Sequence, residues 1–194
     1  MSKIIATTER LYIREIEEGD QDLVYALSQE SSVLSGVQRD EEYVELYKKF
    51  NWEEATKPTI YNGMIFLKDT DEFVGKICMQ YIDRPTPELG IDIMKVYRNN
   101  GYAPESVRAF CNYYFKSRGV GEIMVRISKE NNHSIHVFEK LGAEYVRSTS
   151  FVSENSLDMM KQLLPDADLT ELSQNSVREY LLRLPLDRSE MLIV

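Results

Sequence analysis

The sequence predicts an α+β fold: one central mixed, mostly antiparallel sheet flanked by helices. Three observations carry this. Segments with period-two alternation recur across turns too short for a crossover, which makes their strands antiparallel neighbours. One strong helix signal lies between two such segments, the pattern of a strand–helix–strand crossover. The 194 residues, 43% apolar and 28% charged, can also bury a sizeable core with no visible linker or repeat.

The elements follow in order. Residues 10–16 (RLYIREI) read as a strand with Leu11 and Ile13 on one face. The turn Glu17-Glu18-Gly19-Asp20 carries capping chemistry, and 22–28 follows as a helix with Leu23, Ala26 and Leu27 at helical spacing. A second helix is expected over 40–55, with Tyr43, Leu46, Tyr47 and Phe50 along one side. Beyond Pro58, strands at 60–68 and 73–82 flank the hairpin turn Asp69-Thr70-Asp71-Glu72. Arg84-Pro85-Thr86-Pro87 turns the chain into a strand at 88–96 (ELGIDIMKV). Its alternation puts Leu89, Ile91 and Ile93 on one face and Glu88, Gly90, Asp92 and Met94 on the other.

The clearest helix is 104–118. Pro104 suits the first helical position, Val107, Phe110, Cys111 and Tyr114 form an apolar stripe, and Gly119 terminates it. A strand at 122–127 leads to a short helix opened by Asn132 or Ser134 and closed by Gly142. The last strands fall at 143–151 and 177–184. The segment between them is helical in character near 157–164, where Leu157, Met160, Lys161 and Leu164 share a face. The expected organisation is a single domain over 1–194 with a helical insertion at about 152–176. That insertion is long for a strand connection, and is expected to cover an acceptor cleft or to join a second copy in a homodimer.

Composition narrows the function. There is no apolar run of about 18 residues, so no membrane span or membrane partner is expected. The opening Met1-Ser2-Lys3-Ile4-Ile5 lacks the apolar stretch of a signal peptide. Cys78 and Cys111 have no CxxC spacing or His partner. They read as reduced core thiols of a cytoplasmic protein, and no metal site is expected. A net charge of −9 argues against a nucleic-acid partner. The charge is uneven: residues 1–75 carry −8, residues 76–147 carry +3 and residues 148–194 carry −4. A mildly basic middle in an acidic chain suits a small anionic ligand there and a cationic partner elsewhere; solvated helix faces explain it equally well.

The chemistry concentrates in Val96-Tyr97-Arg98-Asn99-Asn100-Gly101-Tyr102-Ala103-Pro104. A strand enters a polar turn with one Gly, and the turn opens into the best helix of the chain. Free N–H groups and the positive end of the helix dipole make an anion cradle, Gly101 allows close backbone approach, and Arg98 adds charge. No GKS or GKT follows, so this is not a P-loop.

Arg98-x-x-Gly101-x-Ala103 resembles the Q/R-x-x-G-x-G/A pyrophosphate loop of the GNAT superfamily of acyl-CoA-dependent N-acyltransferases. Downstream, Asn131-Asn132-His133-Ser134 followed by a short helix ending Glu139-Lys140-Leu141-Gly142 is similar to the family's second signature. The opening Arg10-Leu11-x-Ile13-Arg14 resembles the subgroup of ribosomal-protein N-terminal acetyltransferases and their small-amine relatives. The resemblance spans roughly residues 8–152 and implies the GNAT fold, with a splayed strand pair that admits acetyl-CoA as cosubstrate. It further implies that backbone groups near Met94 and Val96 hold the pantetheine amides, and that Arg98, Asn99, Asn100, Gly101, Tyr102 and Ala103 bind the pyrophosphate. Asn131 would bond the pantetheine arm and Ser134 would sit near the thiol, although a plain helix cap explains Ser134 equally well.

Acyl transfer to an amine needs a neutral amine, a stabilised oxyanion and a leaving thiolate. Deprotonating a lysine-like amine of pKa ~10.4 at pH 7 costs on the order of 4 kcal/mol, and a protein α-amine near ~7.8 about 1 kcal/mol. A thiol of pKa ~8.5 leaves without much help, so a base matters more than an acid. The resemblance makes Glu88 the leading general base, with an exposed strand-start carboxylate as the plain alternative and Asp92 the second candidate. A backbone N–H near Ile93 would serve the oxyanion. Where many members carry a Tyr as general acid, this chain has Phe138. That departure keeps a second function open: a catalytically silent CoA-binding regulatory or interaction module. His133 and His136 lack an evident orienting carboxylate and read as surface or packing residues. Trp52 with its aromatic neighbours reads as core in preference to an acceptor pocket. The acids Asp40, Glu41, Glu42, Glu45, Glu53 and Glu54 fall where the resemblance puts the acceptor, which favours a small cationic amine or a protein N-terminus.

Overall fold

The computed structural model describes residues 3–31, 41–150 and 176–186. The expected insertion at 152–176 lies outside these except for Ser176, as does Asp40. The chain forms two compact units, one running to Gly121 and taking up again at Leu184, the other Glu122–Arg183.

In the first unit five strands pair in chain order, every pair antiparallel: β1 (Ile4–Thr7), β2 (Leu11–Glu15), β3 (Ile60–Leu67), β4 (Phe73–Gln80) and β5 (Glu88–Ile93). Alternation decides the two faces. Met64 and Phe66 meet Val24 of α1 (Gln21–Ser31) and Ala55 of α2 (Glu41–Ala55), with Trp52 packed alongside. On the opposite face Tyr61 stacks on Phe110 and meets Tyr114 at a tilt, both on α3 (Tyr102–Arg118), centroids 6.0 and 6.2 Å apart. The expected stripe of α3 is buried throughout, and Gly119 caps its end at φ 70° with its N–H donating to Phe115 O. Cys78 and Cys111 are separate buried thiols.

Beyond small shifts at element ends, the structure departs from expectation in four places. β1 was not anticipated, because four residues are too few to show alternation. α3 begins at Tyr102, two residues before Pro104. The ring is tolerated there because no N–H in the first turn has a partner within the helix. The strand expected over 88–96 stops at Ile93, and a 3₁₀ turn, Lys95–Tyr97, replaces its end. On α2 two residues of the expected apolar side face outward, Leu46 at 67% and Phe50 at 54% exposed, while Tyr47 is half-buried edge-on against Tyr25 of α1. Trp52 packs against the core, and the carbonyl of Ala55 accepts a bond from the Asn62 side chain.

In the second unit the order is β6 (Glu122–Ser128), β8 (Val177–Arg183), β7 (Glu144–Thr149), again antiparallel. Glu179, on β8, is 8% exposed and lies between Arg126 and Arg147. The helix α4 (Asn132–Lys140) buries Ile135 and Phe138. Among the described residues no helix is long and apolar enough to cross a membrane.

Candidate functional site

The turn between β5 and α3 is built by three kinds of constraint. Tyr97 N donates to Met94 O at 2.9 Å and closes the 3₁₀ turn. Asn99 (φ 64°) and Gly101 (φ 79°) both take left-handed backbone, which Asn tolerates and Gly adopts freely. Asn100 lies between them and ties its side-chain amide to the carbonyls of Tyr97 (3.2 Å) and Arg98 (3.1 Å). The helix then opens directly on Gly101. The N–H groups of Tyr102 and Ala103 are left without helical partners, while Pro104 contributes none.

Sequence reasoning missed the residue that braces this turn. Arg10 donates from Nη1 to Asn100 O (2.9 Å) and from Nε to Glu105 Oε2 (2.9 Å), and its guanidinium lies 4.6 Å from the Tyr102 ring centroid. Thr8 donates from Oγ1 to the other oxygen of Glu105. The motif Arg10-Leu11-x-Ile13-Arg14 thereby acquires a physical meaning. Leu11 and Ile13 are fully buried, and Arg14 forms a bidentate pair with Asp20 (2.6 and 2.7 Å) at the entry to α1. Only the apolar half could be seen locally, since Arg10 reaches partners 90 and 95 positions away. Arg10 and Gly101 also wall a groove between β1 and α3 of about 690 Å³, which continues past Arg108 and Asn112 to Lys116.

Arg98 ties the turn back to the strand before it. Its Nε donates to Ile93 O at 2.8 Å, so the side chain curls back onto β5. Backbone parity bears on the contacts expected of Met94 and Val96. Met94 N donates to Val74 O at 2.9 Å, so the even-numbered positions of β5 exchange bonds with β4, and Leu89, Ile91 and Ile93 direct their N–H and C=O away from it. Met94 therefore turns its N–H to β4, and Val96 is 74% exposed in the 3₁₀ turn. Ile93 points its backbone N–H away from β4.

Glu88, half-buried, and Asp92 share the α1–α2 face of β5 as the alternation implied, with Gly90 between them. A Cβ on Gly90 would come within 3.1 Å of Cys78 Sγ. Asp92 reaches solvent, yet the protein crowded around it raises its pKa above the ordinary carboxylate value by desolvation; Lys76 and Arg98 pull the other way.

In the second unit Asn131 is the N-cap of α4, its Oδ1 accepting from Ser134 N at 3.0 Å. The helix starts at Asn132, the earlier of the two expected openers, and its N-cap is Asn131. Ser134 is half-buried, His133 and His136 are exposed, and Phe138 is 3% exposed inside the unit's core. Of the acids on α2, Glu45, Glu53 and Glu54 have lysine partners within 4 Å, and Glu41 and Glu42 are exposed. Among the described residues no cluster of His, Cys, Asp or Glu could hold a metal ion.

A family profile described as "Acetyltransferase (GNAT) domain" matches residues 10–144. The chain belongs to the GNAT acetyltransferase family. Among curated relatives, the uncharacterized N-acetyltransferase YnaD of Bacillus subtilis is 33% identical over 141 residues, which cover 70% of this chain and 80% of YnaD. The uncharacterized protein YkkB of the same organism is 28% identical over 153 residues, 76% of this chain and 89% of YkkB. Among solved structures, spermidine N-acetyltransferase from Vibrio cholerae in complex with CoA and spermine superposes with a TM-score of 0.65. Identity is 15%, and the match covers 92% of this chain and 98% of that one. At that identity the likeness is one of fold, and the fold is that of GNAT enzymes. The protein is accordingly an N-acetyltransferase of this family. The loop fits the diphosphate of CoA: Gly101 sits at a left-handed φ where any side chain is strained, and the first turn of α3 offers N–H donors.

Proposed function

We propose that this GNAT protein moves an acetyl group from acetyl-CoA to a primary amine, either a small cationic amine or a protein N-terminus, by direct attack. The single observation that carries the cofactor half is the loop from Asn99 to Ala103, left-handed at two positions and opening on α3. In this reading the N–H groups of Gly101, Tyr102 and Ala103 hold the diphosphate, on the turn shaped by Arg98, Asn99 and Asn100. The backbones of Ile91 and Ile93 take the pantetheine and oxyanion contacts first assigned to Met94, Val96 and Ile93. Asn131 and Ser134 line the pantetheine arm, beyond the cap they already form. Bound acetyl-CoA supplies the activated acyl group, and Glu88 takes the amine proton, directly or through a water. Asp92 is the second candidate, with a raised pKa that suits proton acceptance. The amine class is supported by relatives named N-acetyltransferases and by a neighbour of the same fold crystallised with spermine.

A thiol-release assay with acetyl-CoA and a panel of polyamines, amino acids and N-terminal peptides tests the proposal. Turnover is expected with at least one amine, and Glu88→Gln should lower kcat about a hundredfold, the low end of general-base effects, and shift the pH profile. The profile also reports the acceptor. A polyamine-like substrate gives a rate that climbs toward pH ~10, and a protein α-amine one that levels near pH ~8. One observation favours a second reading: Phe138 cannot donate a proton to a leaving thiolate. A chain that binds CoA tightly but releases no thiol with any amine across that pH range is the silent module, not the enzyme.

A further inference from the structure

We infer that Arg10 is a positioning residue for the diphosphate, aiming the donor N–H of Gly101 from behind the loop; this rests on the acetyl-CoA reading above. The Asn100–Gly101 peptide is trans, so its C=O and N–H point in opposite directions. Arg10 Nη1 holds the Asn100 carbonyl at 2.9 Å, which turns the Gly101 N–H away from Arg10. Without that grip the peptide plane is free to rotate, because the residues on either side of Asn100 are both left-handed and one is a glycine. The guanidinium is fixed at two further points. Glu105 accepts from Nε at 2.9 Å, and Tyr102 underlies its plane. Thr8 holds Glu105 in turn.

Two features separate this role from charge attraction. The positive charge of Arg10 is matched by Glu105, so it adds little net field at the loop. The bonds also leave from different nitrogens of one planar fork, a geometry an ammonium cannot reproduce. Lysine at position 10 keeps the charge and should lose the function.

The test compares wild type, Arg10→Lys and Arg10→Ala by calorimetric titration with CoA, and by kinetics with acetyl-CoA and with S-acetylpantetheine, which lacks the diphosphate. Both variants should bind CoA roughly tenfold more weakly and raise the KM for acetyl-CoA by a similar factor. The KM for the amine, and kcat/KM with S-acetylpantetheine, should stay within about twofold, the change of a contact that is not removed. Lysine restoring wild-type affinity overturns the inference, as does equal loss with both donors, which signals general damage to the fold. Wild type failing to bind CoA overturns the acetyl-CoA reading itself, and the inference with it. A thermal melt of each variant establishes folding. If Arg10→Ala does not fold, Thr8→Val, which removes the strut on Glu105 but leaves Arg10 in place, should show a smaller loss in the same direction; unchanged CoA affinity there counts against the inference.

Discussion

Arg10, just before β2, and Arg14, on it, do opposite work. Arg10 reaches along the surface to a loop, whereas Arg14 closes a nearly buried pair with Asp20, their side chains 12% and 3% exposed. Arg14→Ala leaves Asp20 charged and without its partner. We expect a loss of about 3 kcal/mol of folding stability in urea denaturation, and less than additive loss in the Arg14→Ala/Asp20→Ala double variant. Asp92 gives a pH-dependent prediction of the other sign. Its pKa is raised in the folded state, so as pH rises the unfolded chain releases the proton first, and the charge then costs stability from there through the folded pKa and above. Asp92→Asn should therefore be more stable than wild type at pH 7, and the difference should vanish below about pH 3, where both side chains are neutral. Equal stability at both pH values contradicts this. At this scale Gly101 was legible because one glycine in a polar turn before a strong helix has few other uses. Arg10 was not legible, because its partners are distant in sequence and no local pattern encodes them.

Elements were legible wherever periodicity ran long enough. The α3 stripe and the β3–β4 hairpin follow expectation, and the misses have separate physical causes. Strand alternation in 88–96 continued past the point where Met94 and Tyr97 close a 3₁₀ turn, because Met94 and Val96 fit either conformation. That ending shifted the expected backbone contacts by one residue, and in a strand one residue reverses the direction of every N–H. On α2 the apolar residues at helical spacing named a side that is only partly buried, because Trp52 and Ala55 are the residues that pack on the core beneath the sheet. α4 carries a prediction of its own: Asn131→Ala removes its cap and should cost about 1 kcal/mol by chemical denaturation. If Asn131 also touches pantetheine, the same variant raises the KM for acetyl-CoA, whereas Asn131→Asp keeps the cap and restores stability alone.

For the molecule as a whole, the cofactor half was written more plainly than the acceptor half. A diphosphate makes one demand, a ring of N–H donors at a helix start, and a short motif can meet it. An amine makes only general demands of charge and proton acceptance, which acids on many surfaces satisfy; three of those on α2 already face lysines. The two thiols illustrate how a global property fixes local chemistry. Burial raises the pKa of both Cys78 and Cys111, so neither should react with a thiol reagent in the native protein, and both should react in denaturant. The central claim is that the loop from Asn99 to Ala103 grips the diphosphate of CoA. Amide hydrogen exchange across that loop, with and without CoA, tests it most directly. The account predicts that exchange at Gly101, Tyr102 and Ala103 slows when CoA is added and is unchanged by adenosine, which has no diphosphate. CoA bound with those three amides exchanging at their free rates would contradict it.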